Sequence, residues 1–130
     1  MFRLTHWPWF RRWFGDRSEQ VAANFLRQSG LRILHRNYRT PRGEIDLIAR
    51  DGSRVVFVEV RSTAGNDSVR LAASIDRGKQ RRIVGAAEFF LHRYRMGDCP
   101  ARFDVVLVQW TKDGSPIVTH IPAAFDLTNL

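Results

Sequence analysis

The stretch GEIDLIARDGSRVVFVEVR, residues 43–61, decides how this chain folds. EIDLIAR (44–50) and RVVFVEVRS (54–62) are rich in β-branched residues and are separated by Asp51-Gly52. That dipeptide between apolar runs is the strongest short-range signal of a β-hairpin. Taken as a two-residue turn, Asp51-Gly52 pairs Arg50 with Ser53, sets Glu44 opposite Glu59 and sets Asp46 opposite Phe57. Side chains alternate along a strand. One face therefore carries Glu44, Asp46, Ile48, Val55, Phe57, Glu59 and Arg61, and the other Ile45, Leu47, Ala49, Val56, Val58 and Val60. Both faces are apolar near the turn, so both are expected to be covered. Only one becomes charged, and only at the end away from the turn.

Working outward, Asp16 or Ser18 is positioned to cap a helix running to Gln28, with Gly30 just past its end. Residues 31–39 predict a strand, 63–74 a loop with room for one helical turn, and Asp76 to Met96 a second helix stopped by Gly97. Ile83, Ala87, Phe90, Leu91 and Tyr94 repeat along that helix at i, i+4, i+7, i+8 and i+11. Residues 102–110 read as a strand apolar on both faces, hence central. A turn at Lys112–Ser115 leads into a last strand near Ile117 to Ile121. The order α-β-β-β-α-β-β predicts an α/β (α+β) domain, a central sheet of about five strands with a helical crossover.

At 130 residues the chain has room for one sizeable core. Its 21 Lys and Arg against 13 Asp and Glu, formally +8, point to a polyanionic partner, nucleic acid first, with a merely basic surface as the alternative. Cys99 is the only cysteine, which excludes an internal disulfide and a Cys-based zinc site and suits a reducing, cytoplasmic compartment. The opening MFRLTHWPWFRRWF (1–14) differs from the rest. Pro8, Arg11 and Arg12 interrupt it, so it is neither a secretory signal nor a membrane span, and integral membrane association is not expected. It reads as a loosely ordered extension ahead of a domain over 15–130, or as an aromatic-basic arm for nucleic acid or a membrane surface.

At the charged end of the hairpin, Asp46 and Glu59 are diagonal neighbours in the expected register. Diagonal positions are about 7–8 Å apart, within reach of one shared cation. Without a cation, Glu44, Asp46 and Glu59 repel one another, and Arg61 offers partial compensation. The plain alternative is a solvent-exposed strand end with ordinary ion pairs.

Gly43-Glu44-Ile45-Asp46-Leu47-Ile48 followed by Phe57-Val58-Glu59-Val60-Arg61 resembles the core signature of the YraN family. The likeness extends over roughly Gly15 to Phe125, through Glu19, Asn37-Tyr38-Arg39, Lys79-Gln80-Arg81-Arg82 and Arg102-Phe103-Asp104-Val105-Val106. The resemblance implies a restriction-endonuclease-like fold, similar to archaeal Holliday-junction resolvases, with a mixed sheet flanked by helices. It implies a metal-dependent endonuclease acting on branched or structured DNA. Asp46 and Glu59 would bind Mg²⁺ or Mn²⁺, the carbonyl of Val60 would be a third ligand, and Glu19 an outer one. Related resolvases act as dimers, so a homodimer is part of the same expectation. Arg61 stands where the family usually has Lys, and 63–74 lacks the Gly-x-Pro-x-Glu character expected of it. Arg61 keeps the charge and would still neutralise the transition state as a catalytic residue, but it cannot act as a base, which keeps open a member of the fold that binds DNA or RNA without cutting it.

Glu19 also fits a capping box with Asp16, and the two roles are compatible. Glu44 either contacts metal-bound water or pairs with Arg61 or Arg39, and the pairing is favoured. Lys79, Arg81 and Arg82 open the second helix, where cations oppose the dipole. With Gln80 and Arg39 they are candidate nucleic-acid contacts, or else a solvated basic face. Asp104 is a carboxylate behind the site or a buried partner of Arg102, the latter preferred.

Overall fold

The computed structural model of the chain describes residues 8–64 and 74–126, with side chains from residue 17 onward. Its elements are α1 (Pro8–Gln28), β1 (Arg32–Thr40), β2 (Gly43–Asp51), β3 (Arg54–Ala64), α2 (Arg77–Arg93), β4 (Ala101–Trp110) and β5 (Pro116–Phe125). The fold is α+β in the expected order, with one five-stranded sheet in the order β1-β2-β3-β4-β5. The β3–β4 pair is parallel and the other pairs are antiparallel. The single parallel pair is the one joined by the α2 crossover, because parallel strands cannot be linked by a tight turn.

Each sheet face has its own apolar cluster. Tyr38, Ile48, Phe57, Phe103 and Val105 pack with Ile83, Ala87 and Phe90 of α2. Leu47, Ala49, Val56, Val58, Val106 and Val108 pack with Ala22, Ala23 and Leu26 of α1. This double coverage explains the near-continuous apolar runs of β3 and β4.

Two expectations about helix ends change. The first helix starts at Pro8, so Asp16 lies inside it and cannot cap it, and the capping-box role of Glu19 falls. The part of the aromatic-basic segment over 8–14 is therefore helical backbone, while its residues 1–7, and all readings of its side chains, lie outside what the structure describes. The second helix ends before Met96: Tyr94 is its C-cap, and Arg95 takes a positive φ of 55°. The 63–74 loop expectation falls mostly on residues outside the described ones.

The hairpin register also differs. Asp51 pairs with Arg54 and Ile48 with Phe57, so the two central turn residues are Gly52 and Ser53. Gly52 has φ +60° and Ser53 is not among the positive-φ residues. A positive φ at the first central residue alone is the II′ pattern, which wants Gly there, whereas a turn centred on Asp51-Gly52 would need positive φ at both.

The β2–β3 couples end at Leu47–Val58. Beyond that point β2 continues along β1 to Gly43 and β3 continues along β4 to Ala64. The sheet forks there. Just past the fork β2 also loses its alternation: Ile45 packs on the α2 side with Ile48, although Leu47 lies on the α1 side. This corrects the expected placement of Ile45 beside Leu47. The residue at the break is Asp46. On β1, between the couples Arg36–Leu47 and Tyr38–Ile45, lies Asn37 with φ +52°. Asn tolerates that conformation better than other side-chain-bearing residues, because its short amide makes local hydrogen bonds.

Candidate active site

The fork sets Asp46 and Glu59 side by side. The observed register, carried one step past Leu47–Val58, puts them directly across from each other rather than diagonally. Oδ2 of Asp46 accepts a hydrogen bond from the Val60 amide at 2.8 Å. Glu59 is buried, and its register partner Val105 belongs to the α2 side of the sheet. Burial, then repulsion from Glu59, pushes the Asp46 carboxyl up to about 7, with the Val60 amide and Lys79 pulling the other way.

Both residues line a cavity of about 410 Å³ that also takes in Ser18, Glu19, Val60, Arg61, Ser62 and Lys79. Residues from both helices meet in it because the strands part there. α1 is held against the fork by a small polar clamp. Trp110 Nε1 donates to Ser18 Oγ at 3.0 Å and to Ser62 Oγ at 3.2 Å, and the two hydroxyls are 2.6 Å apart. The guanidinium of Arg17 sits 4.7 Å from the Trp110 ring centroid. This clamp fixes the turn of helix that carries Glu19, and sequence reasoning missed it because its three members are far apart along the chain. Oε2 of Glu19 is buried and accepts no hydrogen bond from the described residues, while the side chain is otherwise engaged.

Among the described residues no three His, Cys, Asp or Glu side chains cluster as a metal cage. Glu19 reaches the same cavity but does not join Asp46 and Glu59 as a third carboxylate. The donor set is thus two carboxylates with the Val60 backbone beside them. This fits Mg²⁺, which keeps several waters and is commonly bound through one or two carboxylates plus substrate phosphate. The raised Asp46 carboxyl fits a divalent cation too, since a positive ion between the two groups relieves the repulsion that raises it.

The nearest cation is Lys79, whose Nζ lies 3.0 Å from Glu59 Oε1. Arg61 lines the same cavity, and its Nη2 donates to the Ser74 carbonyl at 3.2 Å, on the segment entering α2. That segment ends at Asp76, the N-cap, whose Oδ1 accepts from the Lys79 amide at 2.9 Å. The Lys79 amide, then the nearby Arg82, hold the Asp76 carboxyl below its ordinary range.

A second cleft, about 520 Å³, opens between the β1–β2 turn and α2, lined by Arg39, Arg42, Glu44, Lys79 and Arg82 among others. Lys79 lines both cavities. Glu44 pairs with Arg39 at 3.6 Å, both exposed, so the favoured pairing holds and its partner is Arg39. The turn packs tightly onto α2: a Cβ on Gly43 would lie 2.4 Å from the Arg82 carbonyl oxygen. Gln80 turns away, donating to the Ile75 carbonyl at 2.8 Å, and the exposed Arg81 lines neither cavity.

Asp104 does not stand behind this site. Its register partner is Val58, so it lies on the α1 side, opposite to Glu59. It is fully buried and satisfied by two bonds from Arg102 (2.8 and 3.0 Å), His120 at 2.7 Å and the Ala123 amide at 3.0 Å. The structural role is the correct one.

Residues 18–108 match the family described as Uncharacterised protein family UPF0102. The chain belongs to the UPF0102 family. This is the YraN group that the hairpin signature resembles. A UPF0102 protein of Syntrophotalea carbinolica is 39% identical over 113 residues, covering 87% of this chain and 91% of the relative. One of Dechloromonas aromatica is 47% identical over 103 residues, covering 75% and 84%. The UPF0102 match takes in every residue that lines the carboxylate cavity, from Ser18 to Lys79, and Asp104 as well. No helix of the described residues is long and apolar enough to cross a membrane.

Proposed function

We propose that this protein is a divalent-metal-dependent endonuclease acting on nucleic acid, with DNA of branched or otherwise non-standard shape as the substrate class. The observation that supports this most is the facing pair Asp46 and Glu59 in the fork of the sheet, one of them with its carboxyl pushed up to about 7. Burial and the neighbouring Glu59 raise the proton affinity of the Asp46 carboxyl. Such an arrangement is typical of functional sites.

Asp46 and Glu59 would hold Mg²⁺ or Mn²⁺, with the Val60 carbonyl as the third ligand that the family resemblance implies. The metal, when bound, supplies Lewis acidity toward the phosphate and an ionised water for attack. The Val60 amide keeps the Asp46 carboxylate oriented at 2.8 Å. Water attacks phosphorus, a new P–O bond forms, the bridging P–O bond breaks, and the departing oxygen leaves with a proton. Arg82 and Arg42 line the adjoining cleft and position the phosphate backbone there. Such contacts set affinity and register and carry no base sequence. The formal charge of +8 supports the same partner class.

A second reading is favoured by Arg61 at the place of the usual lysine: a protein of this family that binds nucleic acid without cutting it. A divalent-metal titration with DNA of several shapes separates the two. Metal-dependent cutting lost in Asp46→Ala supports the nuclease. Tight binding with intact DNA at every metal concentration supports the binder.

A further inference from the structure

We propose that Lys79, and not Arg61, is the cation this site places on the scissile phosphate, and that it leaves Glu59 when a divalent ion arrives. The proposal rests on the nuclease reading above and assigns a residue to it. Three observations carry it.

First, Lys79 already holds the anion. Its Nζ is 3.0 Å from Oε1 of Glu59, a carboxylate that is buried and faces Asp46. Second, its backbone is pinned where the cation is otherwise unfavourable. Lys79 is in the first turn of α2, and its amide bonds to the Asp76 cap. A positive side chain there opposes the helix dipole, so a local anion must compensate, and Glu59 does so. Third, Lys79 lines both the carboxylate cavity and the basic cleft, so a strand running from one to the other passes its ammonium. Arg61 lines the carboxylate cavity but not the basic cleft, and its Nη2 donates to the Ser74 carbonyl at the entrance of α2.

The exchange follows from charge. In the metal-free site Lys79 is the ion-pair partner of Glu59. Asp46 and Glu59 would hold the divalent ion, whose charge would displace the ammonium from Glu59, and a bound phosphodiester would offer Lys79 a new anion. Lysine suits such an exchange because its charge rides on a flexible four-carbon stem, unlike the planar fork of arginine. On the phosphate, Lys79 neutralises charge that grows as the bridging bond breaks. Its side chain is about one third exposed, so it has room to turn.

The test uses the full chain with Mn²⁺ as probe. Metal affinity is read by calorimetry and cleavage on a labelled DNA, for wild type, K79A, K79R, R61A and D46A. K79A is expected to bind Mn²⁺ several-fold more tightly, because a competing cation is gone, while cutting about 100-fold more slowly. K79R is expected to recover part of that rate, and R61A to lose less than tenfold. Loss of Mn²⁺ affinity in K79A overturns the exchange and makes Lys79 structural. A K79A protein that cuts within threefold of wild type, beside an inactive D46A, overturns the phosphate role alone. A D46A protein that cuts like wild type overturns the nuclease reading itself.

Discussion

The Val60 amide donates to Asp46 Oδ2 at 2.8 Å, one residue beyond the last β2–β3 couple. A carboxylate thus takes a backbone donor just where the ladder stops, and the fork is closed at its apex by a side chain of the site. The same bond holds Asp46 beside Glu59, where burial and the neighbouring charge push its carboxyl up to about 7.

That shift sets a pH dependence. An unperturbed Asp titrates near 3.8, so the folded, metal-free protein takes up a proton on Asp46 between pH 3.8 and about 7. The stabilising proton is bound in both states below that window, and its contribution is lost as pH rises through about 7. Metal-free Asp46→Asn is therefore expected to melt higher than wild type at pH 8, by on the order of 5 °C, with the gap closing by pH 4. Melting curves for the two proteins across that range check this. A constant gap would show that Asp46 is not the titrating group.

Asn37 takes φ +52° at the level of Asp46. Asn37→Ala keeps the Cβ in the left-handed region but loses the short polar side chain that eases it, and is expected to cost roughly 1–2 kcal/mol. Asn37→Gly should remain within a few tenths of a kcal/mol of wild type. Urea unfolding measures both, and equal losses would assign the effect to the Asn amide instead.

Gly43 brings the β1–β2 turn against the α2 backbone, where a Cβ would meet the Arg82 carbonyl oxygen at 2.4 Å. Backbone atoms cannot swing aside as a side-chain tip can. Gly43→Ala is expected to destabilise by roughly 1–3 kcal/mol. On the proposed nuclease function, it should also weaken DNA binding by shifting Arg82 in the basic cleft. An unchanged midpoint in denaturant would show that the turn relaxes freely.

Asp104 is buried with Arg102 and His120 against it. Asp104→Ala leaves the Arg102 guanidinium without its buried partner, at a cost of about 3–5 kcal/mol. Since Asp104 lies on the opposite face of the sheet from Glu59, the folded fraction of the variant is expected to keep wild-type Mn²⁺ affinity. Mn²⁺ calorimetry below the melting temperature reads this, and a loss of binding there would couple the two faces.

The element order and the identity of the hairpin are legible in the sequence, because they depend on local periods and turn chemistry. Alternation in 54–58 and the 3.6-residue stripe of Ile83, Ala87 and Phe90 need no knowledge of distant residues. Asp46 and Glu59 stand out for the same reason, as charges in otherwise apolar strands. The hairpin turn lies one position later than the Asp51-Gly52 signal predicts, because Gly52 takes the positive φ while Asp51 stays in the ladder with Arg54. What only the tertiary structure decided is where the sheet forks, which cation meets Glu59, and that Asp104 faces away. Strand alternation assigns a side chain to a face only while the strand stays regular, and at Asp46 it does not. Lys79 lies twenty residues from Glu59 in the chain, and only the packing of α2 on the sheet brings them to 3.0 Å.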